Sequence, residues 1–231
     1  MVEIGVVLPA FNAGRTVGAV VAGVRRYLPR VTVVDDGSTD STREQAEAAG
    51  AWVLSHPRNR GKGAALRTAF ETLHSMPWDA LITLDADGQH DPSDIPRFLE
   101  AFERRRPELI VGSRQMGFAG MSRSRRFGNR FSSAALAFFS GLNLPDSQSG
   151  YRLYSMLFIR SLRLRGNAYE AEMESLLQAA VLGLRVETVP VHSIVADGRI
   201  GSHYRPWLDT FRICLCVVQF SLRRHLSGRA M

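Results

Sequence analysis

The run Asp85-Ala86-Asp87-Gly88-Gln89 places two carboxylates two residues apart, just after an apolar stretch. A chain that leaves a buried strand and turns there could aim both at one divalent cation, with Gln89 adding a neutral oxygen. Mg²⁺ and Mn²⁺ suit such a site, because they take a few carboxylate oxygens and complete their coordination with water and substrate phosphate. The same residues also fit a polar turn in which Asp91 caps a helix opening at Pro92. His90 could brace a ligating carboxylate, but a surface position is the expectation. Asp35-Asp36-Gly37-Ser38 follows another apolar stretch. Its carboxylates could accept from a base or a ribose, while Ser38 or Asp40 caps the next helix. Gly61-Lys62-Gly63 holds the only lysine of the chain and lacks Walker spacing. The glycines would let a ligand approach the backbone, and Lys62 itself is expected in a solvated loop. Arg114, Arg123, Arg125, Arg126 and Arg130 cluster with no acid between them. Guanidinium forks match phosphate oxygens. No His/Cys set has zinc spacing, and no serine-centred elbow is present.

The elements that must position these groups alternate. Short apolar, β-branched runs predict strands over 3–9, 31–34, 52–54, 80–84 and 109–111. Turn and capping residues predict helices over 15–27, 41–49, from the Gly-Lys-Gly turn to Leu73, and from Pro92 to about Arg106. This is an α/β chain, a doubly wound, mainly parallel, Rossmann-like sheet with a mixed α/β second half. Ligands bind such sheets beyond the carboxyl ends of the strands, where every motif above falls. In the second half we expect helices over 126–140 and 170–182, a short strand after Gly150-Tyr151-Arg152, and a strand over 185–191. A flexible loop over 198–201 and an amphipathic or interfacial helical segment over 207–224 complete the reading. Phe127, Phe131, Phe138 and Phe139 at helical spacing suit a core or a membrane face.

Charge divides the 231 residues unevenly. Residues 1–111 carry 13 Lys+Arg against 15 Asp+Glu, and residues 112–231 carry 16 against 7. Within 112–165 there are nine arginines and one acid, Asp146. An ordinary solvated face mixes both signs, so this excess points to an anionic partner. A 45% hydrophobic content excludes a disordered chain. Cys214 and Cys216 are too close for a good disulfide and fit a reducing compartment. There is no basic leader pattern. The uncharged stretches 131–145 and 213–222 fall short of the roughly 20 residues that span a bilayer. We therefore expect a cytoplasmic protein, peripheral on the inner face of the membrane.

In order, Leu8-Pro9-Ala10-Phe11-Asn12, Val34-Asp35-Asp36-Gly37-Ser38-Thr39-Asp40, Gly61-Lys62-Gly63, Asp85 through Pro92, Gly112-Ser113-Arg114 and Asp146 through Arg152 resemble glycosyltransferase family 2. The nearest branch is the dolichol-phosphate mannosyltransferase and polyprenyl-phosphate glycosyltransferase group, and the resemblance covers residues 3–204. It implies a GT-A fold and inverting, metal-dependent transfer from a GDP- or UDP-sugar. It implies one domain over 1–231: a nucleotide-sugar half (1–112), an acceptor half (113–204) and an interfacial segment (205–231). Pro9, Ala10, Asn12, Asp36, Lys62 and Asp85 match donor positions, and Asp85, Asp87 and Gln89 match the Mg²⁺ or Mn²⁺ site. Arg114, Arg125 and Asn129 match the acceptor site, and Arg199 matches a mobile-loop arginine over the diphosphate, so that Asp87, Arg114, Arg125 and Arg199 would carry catalysis. Two departures stand out. Asn12-Ala13 replaces a usual Asn-Glu, and Ser202-His203 replaces a usual Ser-Lys.

An acceptor hydroxyl needs a general base, whereas an acceptor phosphate is already an anion. Between Arg114 and Glu170 the only carboxylate is Asp146, among arginines. That composition favours a polyprenyl phosphate, dolichyl or undecaprenyl. The alternative is a soluble family 2 enzyme acting on a saccharide or small hydroxyl, with Asp146 as base. The sequence pI near 10.2 raises nucleic acid as a partner, but no nucleic-acid motif or stacking aromatics accompany it. A non-catalytic nucleotide-sugar binder would not need the Asp85/Asp87 pair.

Overall fold

The computed structural model describes residues 2–114, 123–194 and 211–220, with backbone alone at 123–126. The chain alternates β1 (Ile4–Ala10), α1 (Val17–Arg25), β2 (Val31–Asp35), α2 (Thr42–Ala48), β3 (Trp52–Ser55), α3 (Lys62–Leu73), β4 (Ala80–Thr83), α4 (Ile95–Arg105) and β5 (Leu109–Ser113). The rest supplies α5 (Arg123–Ser140), β6 (Arg152–Ser155), α6 (Met156–Ser161), α7 (Glu170–Val181), β7 (Val186–Pro190) and a helix over 211–220, here α8. The predicted strands and helices are found with ends shifted by at most three residues, apart from the 207–224 segment, whose ends lie outside the described residues. Beyond them, α6 has only six residues, too short to announce itself by periodicity.

Among the described residues the strands form one seven-stranded sheet in the order β3-β2-β1-β4-β6-β5-β7. All pairs are parallel except those of β6, which runs antiparallel between β4 and β5. Side chains alternate across each strand. Val6 and Leu8 of β1 join a core with α1 and α4, and Val7 joins the opposite core with α3 and α7. A sheet covered on both faces explains why its strands read as unbroken apolar runs. Each fully buried Leu or Val in these cores contributes roughly 1.5–3 kcal/mol of transfer free energy.

Two features of this sheet build the site. The β1–β4 ladder ends at Val7–Thr83. Two residues later stands Pro9, which has no N–H to extend a ladder, so β1 and β4 part and leave room at their carboxyl ends. The second feature is β6. Because it is antiparallel, the segment just before it, Asp146–Tyr151, returns to the edge where β1, β2, β4 and β5 end. Thr83 Oγ1 donates to Gly150 O at 3.0 Å, and Gly112 N donates to Tyr151 O at 2.8 Å. The two halves of the sequence therefore share one sheet and one site.

Candidate active site

The carboxyl ends of β1 and β2 are tied together. Pro9 and Ala10 are buried and pair with Val34 and Asp35. Asn12 takes a left-handed backbone, φ 50°, a conformation Asn tolerates better than most residues. Its N–H donates to Ser38 Oγ at 2.9 Å, and its Oδ1 accepts from Thr39 N at 2.9 Å. Ser38 is thus committed to Asn12. Asp40, one residue before the N-cap Ser41 of α2, accepts from Thr42 N at 3.0 Å and from the Thr42 hydroxyl, and no side chain caps α2 from Ser41 itself. Asp36 is buried and anchors the loop that leads into α3. Its Oδ1 accepts from Arg60 N at 2.9 Å and meets His56 Nδ1 at 2.6 Å, and its Oδ2 accepts from Gly61 N at 2.7 Å. His56, whose Nε2 meets Thr68 Oγ1 at 2.9 Å, was not legible as a site residue.

Beyond β4 lies a compact group of charges. Lys62, the first residue of α3, places Nζ 2.5 Å from Asp85 Oδ1 and 3.0 Å from Glu172 Oε1. Its ammonium also stands 5.6 Å from the Tyr169 ring centroid. The expected solvated lysine is instead largely buried, because Glu172 arrives on α7 to share it. Burial alone would lower the Lys62 pKa, but the charges of Asp85 and Glu172 outweigh it and hold the ammonium well above the usual lysine range. Asp85 shows the reverse. Burial would raise it, and Lys62 followed by His90 holds it far below the usual carboxylate range. Asp87 is pushed up, first by burial and then by the negative charge of Asp85. Its Oδ1 accepts from Gln89 N at 3.0 Å.

His90, expected at the surface, is buried. Its Nε2 stands 3.7 Å from Asp85 Oδ2 and its ring packs on Tyr151 at 5.3 Å. His90 Nδ1 and Tyr151 Oη are buried with no hydrogen-bond partner among the described residues. Asp91 caps the turn at Pro92 as expected, accepting from Ser93 N at 2.9 Å. Among the described residues no three His, Cys, Asp or Glu side chains form a closed metal cage. Asp85 and Asp87 nevertheless fit a hard divalent cation. Two close carboxylates that resist being charged together are the donor chemistry that Mg²⁺ or Mn²⁺ relieves, the remaining positions going to water and phosphate.

A second buried pair joins the end of β5 to the segment before β6. Asp146 is completely buried, and Arg114 donates to it from Nε at 2.7 Å and from Nη2 at 2.9 Å. Burial works against both charges, and their mutual attraction wins: the Asp146 pKa is lowered and that of Arg114 raised. Asp85 and Glu172 also act on Arg114 through space, which places this pair within electrostatic reach of the charges beyond β4. Asn129 on α5 is fully buried, and neither amide atom has a partner among the described residues. Arg152, buried in β6, donates to Ser147 O, Ser149 O and Glu172 O at 2.6–2.8 Å, and so locks the Asp146–Gly150 segment to α7.

The side chain of Arg125 and all of Arg199, the 198–201 loop and Ser202-His203 lie outside the described residues. On α5, Phe127, Phe131, Phe138 and Phe139 are exposed, Phe138 at 84%. The described part of the predicted 207–224 segment does two things at once. Ile213 and Val217 of α8 pack into the core, while Phe211, Leu215 and Val218 face out.

The sequence profile of glycosyl transferase family 2 matches residues 5–162. A UDP-N-acetylglucosamine–dolichyl-phosphate N-acetylglucosaminyltransferase of Methanococcus voltae is 29% identical over 214 residues, covering 83% of this chain and 85% of its own. An undecaprenyl-phosphate mannosyltransferase of Micrococcus luteus is 30% identical over 198 residues, covering 80% and 81%. Among solved structures, glucosyl-3-phosphoglycerate synthase from Mycobacterium tuberculosis with Mn²⁺, uridine diphosphate and glucosyl-3-phosphoglycerate superposes with a TM-score of 0.74 at 24% identity. It covers 96% of this chain and 79% of that one. The fold is of the GT-A type.

Proposed function

The chain belongs to glycosyl transferase family 2, in its polyprenyl-phosphate branch, and from that premise we propose that it moves a sugar with inversion from a GDP- or UDP-sugar to a polyprenyl phosphate. The observation that carries the acceptor assignment is the Arg114–Asp146 pair. Asp146, the one carboxylate between Arg114 and Glu170, is buried with both oxygens held by Arg114 and is not free to act as a base. A nucleophile that needs no base, an ionised phosphate, is what that arrangement suits. The printed activities of the Methanococcus and Micrococcus relatives support the same class of acceptor.

In this reading Pro9, Ala10, Asn12 and Asp36 shape the nucleoside end. Asp85 and Asp87, with Gln89 beside them, hold a divalent cation. Such a cation, when bound, neutralises charge on the departing nucleoside diphosphate. Arg114 keeps Nη1 outside its pair with Asp146 and offers it to the acceptor phosphate, and Asn129 adds a buried amide. Asp146 keeps Arg114 in place and charged. Arg125 and Arg199 are assigned to the acceptor phosphate and the diphosphate by resemblance.

A lipid acceptor requires approach to a membrane. Among the described residues no helix is long and apolar enough to cross one. Exposed Phe127, Phe131, Phe138 and Phe139 on α5, with Phe211, Leu215 and Val218 on α8, offer an apolar contact. Arginines nearby would add about 1 kcal/mol each against anionic lipid. We place the protein peripherally on the inner face of the cytoplasmic membrane. The test is transfer from a radiolabelled nucleotide sugar to undecaprenyl phosphate with Mg²⁺ or Mn²⁺. Label extracted with the lipid is expected, and label found only in a soluble saccharide would overturn the reading.

A further inference from the structure

We propose that Lys62 is the resident counter-ion of the cation site: with no cation it neutralises Asp85, and an arriving divalent cation displaces it onto Glu172. This rests on the reading of Asp85 and Asp87 as cation ligands and adds how the site is held before the cation comes. The geometry has both ends of the exchange in place. The ammonium already touches both carboxylates, at 2.5 Å to Asp85 and 3.0 Å to Glu172. A cation on Asp85 would stand beside Lys62 with like charge, and repulsion at that range in a buried site is strong. Glu172 is the nearby carboxylate that can receive it.

Glu172 is built as a receiver. It is buried, and Lys62 is the partner of its carboxylate among the described residues. Its backbone is fixed by Arg152 Nη1 at 2.6 Å and Ser175 Oγ at 2.8 Å. A buried carboxylate with no task but a shared lysine would be a costly ornament. The space for the movement is also present. A Cβ on Gly150 would stand 2.5 Å from Lys62 Nζ, 2.9 Å from Glu172 Oε1 and 3.0 Å from Asp85 Oδ2. The absence of a side chain at 150 keeps the centre of the triad open. Charge closes the argument. Ionised Asp85, Asp87, Glu172 and Lys62 leave two negative charges, which one divalent cation cancels.

The chain has a single lysine, so ¹⁵N-lysine labelling yields one side-chain ammonium resonance to follow. Mg²⁺ titration of the full chain without nucleotide is expected to move that resonance, and the end point should coincide with its position in Asp85→Asn without Mg²⁺. In Glu172→Gln the resonance should broaden into solvent exchange on Mg²⁺ addition, because the displaced ammonium has no receiver. Lys62→Met is expected to bind Mn²⁺, read by electron paramagnetic resonance, about tenfold more tightly than wild type, as reciprocal coupling requires. A resonance that stays still at saturating Mg²⁺, or that moves identically in Glu172→Gln, would overturn the exchange while leaving the cation site standing. Wild type that takes up no Mn²⁺ would overturn the cation reading itself, and the exchange with it.

Discussion

Replacing Asp146 with Asn tests whether this carboxylate is a counter-ion or a base. The side chain is fully buried and accepts two hydrogen bonds from Arg114. Asn keeps the shape and removes the charge, which leaves a guanidinium largely out of solvent with no partner. Removing one member of a buried pair costs about 3–5 kcal/mol. At about 2–4 °C per kcal/mol for a chain of this size, Tm should fall by roughly 6–20 °C. The double variant Arg114→Met with Asp146→Asn should recover much of that loss, since no lone charge remains. The pH dependence has a definite sign. The folded Asp146 pKa is depressed, so its stabilisation is present above the free-carboxylate range and is lost as pH falls through the depressed value. Wild type and Asp146→Asn should therefore differ fully at pH 7 and converge once the pH drops below about 4. Differential scanning fluorimetry across pH reads all of this. An unchanged Tm with intact donor binding and abolished turnover would refute the reasoning and restore Asp146 as a base.

Three further outcomes follow from the same geometry. Gly150→Ala puts a methyl 2.5 Å from Lys62 Nζ, so calorimetry should show weaker Mn²⁺–nucleotide binding with little change in secondary structure by circular dichroism. Asp87→Asn should raise Tm at pH 7 in the absence of metal, because the folded Asp87 pKa is raised and ionisation therefore costs stability above it. That gain should vanish as pH falls through the raised value, and Mn²⁺-dependent donor hydrolysis should be lost. Phe131→Asp with Phe138→Asp, both on exposed positions, should cut flotation with anionic liposomes at low salt while costing within about 0.5 kcal/mol of stability.

The part of the site at the ends of β2 and β4 was legible because its parallel strands are covered on both faces. Unbroken apolar runs mark them, and the residues at their carboxyl ends, Asp36, Asp85 and Asp87, stand out by contrast. The contacts made by α7 and by the segment before β6 were less legible because they cross long stretches of sequence. Nothing local to Lys62 reveals that Glu172, 110 residues away, will bury it. Likewise His90 is drawn inward by Tyr151, and Asp146 meets Arg114 only because β6 runs antiparallel into the middle of the sheet. A four-residue strand beginning with an arginine carries no sign that the arginine is wholly buried. His56 gave no pattern at all, since its partner Asp36 is met through the fold.

In the proposed reaction the nucleophile enters as an anion held by arginine and needs no base. The most direct measurement supplies one labelled nucleotide sugar to the protein with undecaprenyl phosphate and, separately, with the neutral alcohol undecaprenol, at equal lipid loading. Labelled lipid is predicted with the phosphate and none above background with the alcohol. Equal transfer to the alcohol, or transfer to neither alongside brisk transfer to a soluble saccharide, would contradict the account.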